Sequence, residues 1–180
     1  MYGKSWTSVL AVVVIGVAAT VVADDDDRSG KGKLDVAPVT NQLYTDECGV
    51  CHFAYQPGFL PAASWKKLMG GLADHFGENA ELPADTAKTL SAYLEANAAD
   101  KSSYPRSKKM AASLKKGAVP LRITEVPYFA KEHDDIPARM VKDNKQVGSL
   151  SNCAACHSKA KEGSFREREI NIPGFGPWED

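Results

Sequence analysis

Apolar and polar positions alternate along this chain in short stretches, most with helical spacing and most ended by proline or glycine. Residues 9–22 are almost wholly apolar, and residues 24–36 (DDDDRSGKGKLDV) are charged and without period, which reads as a flexible leader with order starting near Ala37. A helix is predicted from about Thr40 into Cys48, with Leu43 and Tyr44 inward. Pro57, Gly58 and Pro61 mark a loop, after which Ser64 is placed to cap the next helix. In that helix Trp65, Leu68, Leu72, His75 and Phe76 share one apolar face, and Gly77 can end it. Pro83 suits a first helical position, and Ala87, Leu90, Tyr93, Leu94 and Asn97 trace a second face. Met110 and Leu114 could hold one side of a short helix ended by Gly117. Beyond it Pro120, Pro127, Pro137, Pro173 and Pro177 break the chain into loops, with Ser151 or Asn152 placed to cap one more short helix. The pattern predicts a mainly α protein: a small helical domain over 37–100, a basic linking helix over 101–117, and a smaller loop-rich domain over 118–180.

The N-terminal stretch adds an export signal. Lys4 precedes the apolar run, and Val21 and Ala23 form an acceptable cleavage pattern before the acidic residues 24–27. The run is short for a membrane span, which needs about 20 residues. Residues 1–23 are therefore read as a signal peptide, with an uncleaved anchor as the alternative and no membrane span after cleavage. A formal net charge of -1 over 180 residues gives no reason to expect a nucleic-acid partner.

Export changes how the four cysteines read, since in an oxidising compartment they would ordinarily form two disulfides. Here they fall in two pairs, Cys48-Gly49-Val50-Cys51-His52 and Cys153-Ala154-Ala155-Cys156-His157. C-x-x-C-H is the c-type haem attachment pattern. Three residues make about one helical turn, so both sulfurs face one way and can form thioethers to one porphyrin. The histidine that follows can bind the iron from below. Local disulfides do not need that histidine. A shared zinc ion fits poorly with the long separation of the pairs, and no βαβ pattern supports a thioredoxin-like site.

Two covalently bound haem groups need two further axial ligands, usually histidine or methionine. The remaining histidines are His75 and His133; the competing methionines are Met69, Met110 and Met140. His75 sits on an apolar face, where a histidine is ordinarily a hydrogen-bonded core residue, and Met69 shares part of that face. His133 has charged neighbours and reads by itself as a surface residue, with Met140 as the fallback. The count of four histidines for four axial positions favours His52, His75, His133 and His157 as iron ligands. Pairing within each half is simplest, and pairing across halves stays open. The second half has so little periodic apolar sequence that the haem would supply much of its core, so that half is not expected to fold stably without it.

Beyond these motifs, the stretches ECGVCHFAYQPGFLPAASWKKLMGGLADHFGENAELP, LRITEVPYFAKEH and SNCAACHSKAKEGSF resemble the bacterial dihaem cytochrome c family, small periplasmic electron carriers. The resemblance runs from about Tyr44 to Pro173. It implies two domains with one haem each, the first similar to a class I cytochrome c but with a distal histidine, and bis-histidine haems of low potential. It implies redox partners among other cytochromes, including membrane cytochromes of b type. The expected function is electron transfer rather than catalysis. A haem enzyme or a gas or redox sensor is the alternative, and needs one open iron. Lys101, Arg106, Lys108, Lys109, Lys115, Lys116 and Arg122, with no acid among them, read as a solvated face or as a docking patch for an acidic redox partner.

Overall fold

The computed structural model describes residues 34–178; the expected signal peptide and most of the expected leader lie outside them. The described chain is mainly helical, with one two-stranded hairpin.

Helix α1 spans Gln42–Cys48, and the side chain of Asn41 accepts from the Tyr44 N–H to cap it. Only Tyr44 of the expected inward pair is buried; Leu43 is 37% exposed. Neighbouring helical positions lie about 100° apart, and a helix this short packs along a single stripe. A tight turn at Pro57–Phe59 leads to α2, Ala62–Met69. This helix starts before Ser64, so Ser64 is not its cap. The cap is Asp100, whose Oδ1 accepts from the Ala62 N–H at 2.9 Å, a carboxylate where the helix dipole favours one.

The helical face expected to reach His75 is interrupted. Helix α2 stops at Met69 and is followed by Gly70 and Gly71, each costing about 1 kcal/mol in a helix relative to alanine. A 3-10 turn at Leu72–Asp74 then delivers His75 into a tight reversal, where the His75 N–H donates to Glu78 O at 2.7 Å. Phe76 (φ 59°) and Gly77 (φ 101°) take left-handed conformations in it.

Helix α3, Ala84–Ala96, packs on α2 and buries Leu90 and Leu94, with Tyr93 against Tyr44. Pro83 is the residue before the helix, and Asn97 is exposed beyond its end, where its Nδ2 donates to Tyr93 O. Helix α4, Pro105–Ser113, buries Met110 and ends four residues before Gly117, which sits in the following turn at φ 80°. Helix α5, Pro127–Lys131, falls where the sequence pattern indicated loop, and Pro127 opens it with its fixed φ. Helix α6, Cys153–Cys156, is a single turn; Asn152 precedes it but gives its Nδ2 to Val147 O instead of capping. Strands β1 (Asn171–Ile172) and β2 (Gly176–Pro177) pair antiparallel near the C-terminus.

One apolar cluster runs through all of this. Tyr44, Phe59, Leu60, Trp65, Leu90 and Leu94 from the first half are continuous with Ile123, Val126, Phe129, Cys153 and Phe165 from the second. The end of the stretch read as leader belongs to it. Val36 is wholly buried, the Asp35 and Val36 N–H groups donate to Gly163 O, and Asp35 Oδ2 accepts from the Phe165 N–H at 2.7 Å. Asp35 O also accepts from the Arg106 N–H. Residues 35 and 36 thus join α4 to the segment after the second motif.

Candidate metal centres

Cys48 closes α1, and the chain turns at once through Gly49, whose N–H donates to Thr45 O at 2.9 Å. A Cβ on Gly49 would run into that carbonyl, so the turn needs the missing side chain for space. Val50 and Cys51 are exposed, and His52 follows them. His52 Nδ1 is 2.8 Å from Phe53 O, a bond that leaves Nε2 free to face a metal. In the second motif Cys153 and Cys156 lie one helical turn apart in α6, and the His157 N–H donates to Cys153 O. None of the four cysteines is in a disulfide. Burial raises the free Cys48 and Cys153 thiols to about 11 each.

The fold sets a histidine against each motif histidine. The turn after α2 carries His75 to His52, with ring centroids 6.2 Å apart. The turn after α5 carries His133 to His157, again with centroids 6.2 Å apart. One metal ion between two imidazoles requires this spacing: two metal–nitrogen bonds of about 2 Å plus half a ring on either side come to roughly 6 Å. Among the described residues no group of three or more His, Cys, Asp or Glu side chains converges. Each facing pair brings two imidazoles together without a third such side chain among the described residues.

At His75 and His157 the surroundings favour the neutral imidazole, the form that ligation requires. Burial, then His52 and Arg122, hold His75 below the usual histidine range. Burial, then His133 and Arg106, hold His157 down to about 4. His133 is half-buried rather than a surface residue; it stacks on Phe129 and its Nδ1 is 2.8 Å from Phe129 O. Of the competing methionines, Met69 packs against the core, Met110 is buried in α4, and Met140 closes a turn at Ala138–Met140.

The sequence pattern did not single out the residues that tie the two sites together. Tyr55 lies against His52, with ring centroids 5.1 Å apart, and its hydroxyl donates to Ser151 O, two residues before Cys153. Tyr44 in turn donates to Tyr55 O. Gln56, wholly buried, donates to Ala160 O. Arg106, read as part of a basic run, faces inward to Glu132 and to Phe165 O, and its charge acts on His157. Lys109 and Arg122 lie over the rings of Tyr128 and Phe76. The one sequence signal for these links is Gln56, a polar residue within a largely apolar loop.

Comparison with known proteins gives the family of the chain. A family model described as dihaem cytochrome c matches residues 44–165. The solved dihaem c-type cytochrome of Shewanella baltica OS155 is 40% identical, with 77% of this chain and 98% of that one covered and a TM-score of 0.64. A dihaem cytochrome c from Rhodobacter sphaeroides is 42% identical over 72% of this chain and all of its own length, also at 0.64. Comparison with curated proteins gives no match. The chain belongs to the dihaem cytochrome c family, mainly α in fold and built for two haem c groups bound covalently at its two C-x-x-C-H motifs.

Proposed function

We propose that this protein is a periplasmic electron carrier in which both haem irons are held by two histidines. Cys48 and Cys51 would tether the first haem, with His52 and His75 holding its iron. Cys153 and Cys156 would tether the second, with His157 and His133 holding its iron. The observation that carries this reading is the matched 6.2 Å separation of both histidine pairs.

When bound, the haems supply reversible one-electron chemistry. The chain's own residues do the rest. His52, His75, His133 and His157 would hold the two irons, and with all four bound neither iron would keep a position open for a substrate or for carbon monoxide. The carbonyls of Phe53 and Phe129 orient the rings of His52 and His133 through Nδ1, and such bonds raise ligand basicity. Histidine in place of methionine sets low potentials. The links from Tyr55 to Ser151 and from Gln56 to Ala160 hold the two attachment segments at one fixed spacing, as electron passage between haems requires. Residues 37–100 and 118–180 act as the two haem-bearing halves. The partner is another redox protein, a second cytochrome or a b-type membrane cytochrome. Export through residues 1–23 places the protein in the periplasm; among the described residues no helix is long and apolar enough to cross a membrane.

The test is an absorption spectrum of the purified reduced holoprotein before and after addition of carbon monoxide. An unchanged low-spin spectrum is the expected result. A shift in part of the haem signal would mean one open iron and would move the reading to a haem enzyme or sensor.

A further inference from the structure

The two histidine pairs share a separation but not an orientation. The rings of His52 and His75 are nearly parallel, at 22°. Those of His133 and His157 are close to crossed, at 69°. This difference has an electronic consequence. Each imidazole donates through a π orbital perpendicular to its own ring. Two aligned rings act on the same iron d orbital and split the dπ pair; two crossed rings act on one orbital each and leave the pair nearly degenerate. A low-spin ferric iron with a split pair gives a rhombic electron paramagnetic resonance signal. With a near-degenerate pair, orbital angular momentum survives and the signal is highly anisotropic, dominated by one line at large g.

The crossed angle has an identifiable cause. Phe129 lies in α5 and His133 four residues later, in the turn that follows the helix, where the His133 N–H donates to Ala130 O and the chain folds the imidazole back over the Phe129 ring. Their rings stack at 4.0 Å and 12°, so the plane of His133 copies that of Phe129. Phe129 O holds Nδ1 of the same histidine, and the Phe129 side chain is itself anchored in the core. On the other side His157 meets Phe165 at a tilted 57°, and its Nδ1 is buried without a hydrogen-bond partner among the described residues. His133 is thus the ring whose plane is locked twice.

We propose that Phe129 is a positioning residue that holds His133 across His157, so that the second haem is a highly anisotropic low-spin centre and the first an ordinary rhombic one. The proposal rests on the bis-histidine reading above. The test is the low-temperature electron paramagnetic resonance spectrum of the oxidised holoprotein. Two low-spin signals are expected, one rhombic and one a single line at large g. H133M should abolish the large-g line and spare the rhombic signal. F129L keeps apolar bulk and the backbone carbonyl but removes the flat face; it should lose the large-g line and gain a second rhombic signal. F129M is a second variant of the same kind. F76L, altering an exposed ring beside His75, should leave the large-g line in place. Two rhombic signals in the unaltered protein would overturn the crossing. A large-g line that persists in F129L and F129M would overturn the role of Phe129. Failure of the bis-histidine reading would look different, with a high-spin ferric signal and carbon monoxide binding in the unaltered protein.

Discussion

Replacing Gly163 with alanine probes the contact between residues 35–36 and the segment that follows the second motif. Gly163 has φ 80°, and a Cβ there would collide with the carbonyl of Val36. Gly174 also has φ 80°, but a Cβ would meet nothing within 4 Å. The two substitutions share the left-handed penalty, about 1 kcal/mol at the low end of its range, and differ in the collision. Relieving that collision means moving Val36. Two backbone bonds from Asp35 and Val36 to Gly163 O, at 3.1 and 3.2 Å, would then weaken, each worth about 1 kcal/mol net. Val36 would give up part of a burial worth about 1.5 kcal/mol or more. G174A should therefore cost about 1 kcal/mol and G163A about 4 kcal/mol. Guanidinium unfolding of the holoproteins, followed by far-ultraviolet circular dichroism, reads the difference as a shift in midpoint at constant slope. If G163A and G174A agreed within about 0.5 kcal/mol, residues 35–36 would not hold the second-motif segment, and the argument for their part in the core would fail.

Three further outcomes follow from single contacts. Y55F removes the hydroxyl that reaches Ser151 O and should lower stability by about 1 kcal/mol in thermal unfolding, whereas S151A, which keeps that carbonyl, should not reproduce the loss. D100A removes the cap of α2 and should cost about 1 kcal/mol in guanidinium unfolding; an unchanged midpoint would show the cap to be idle. The hydrogen bond from Ser164 at 2.6 Å, and then Lys159, hold the Glu169 carboxyl below the usual glutamate range. A depressed folded-state value gives stability that is present above the unfolded value and is lost as pH falls through the folded one. Acid unfolding of E169Q should therefore show a flatter approach to the transition than the unaltered protein, with the two curves parallel at neutral pH.

Chemistry confined to a few neighbouring residues could be read directly from the chain. The C-x-x-C-H spacing is a local property of one helical turn, so both attachment sites at Cys48 and Cys153 were legible, as was the buried face of Leu90 and Leu94 in α3. Counting histidines pointed to His75 and His133, yet their surroundings were misread. His75 was expected on a continuous helix, but two adjacent glycines end α2 and a tight turn presents it instead. His133 looked solvated among charges, but Phe129 covers it. The cap of α2 came from Asp100 rather than Ser64, because a carboxylate from another part of the chain reaches the helix end first. Asp35 and Val36 read as leader because their neighbours are polar, whereas their partners, Gly163 and Phe165, lie at the other end of the sequence. The sequence by itself determined which residues could bind haem, since ligand type and short spacing are covalent facts. Only the tertiary structure decided which histidines face each other, at what angle, and what holds them there, because those depend on packing between segments whose order along the chain carries no record of their contact.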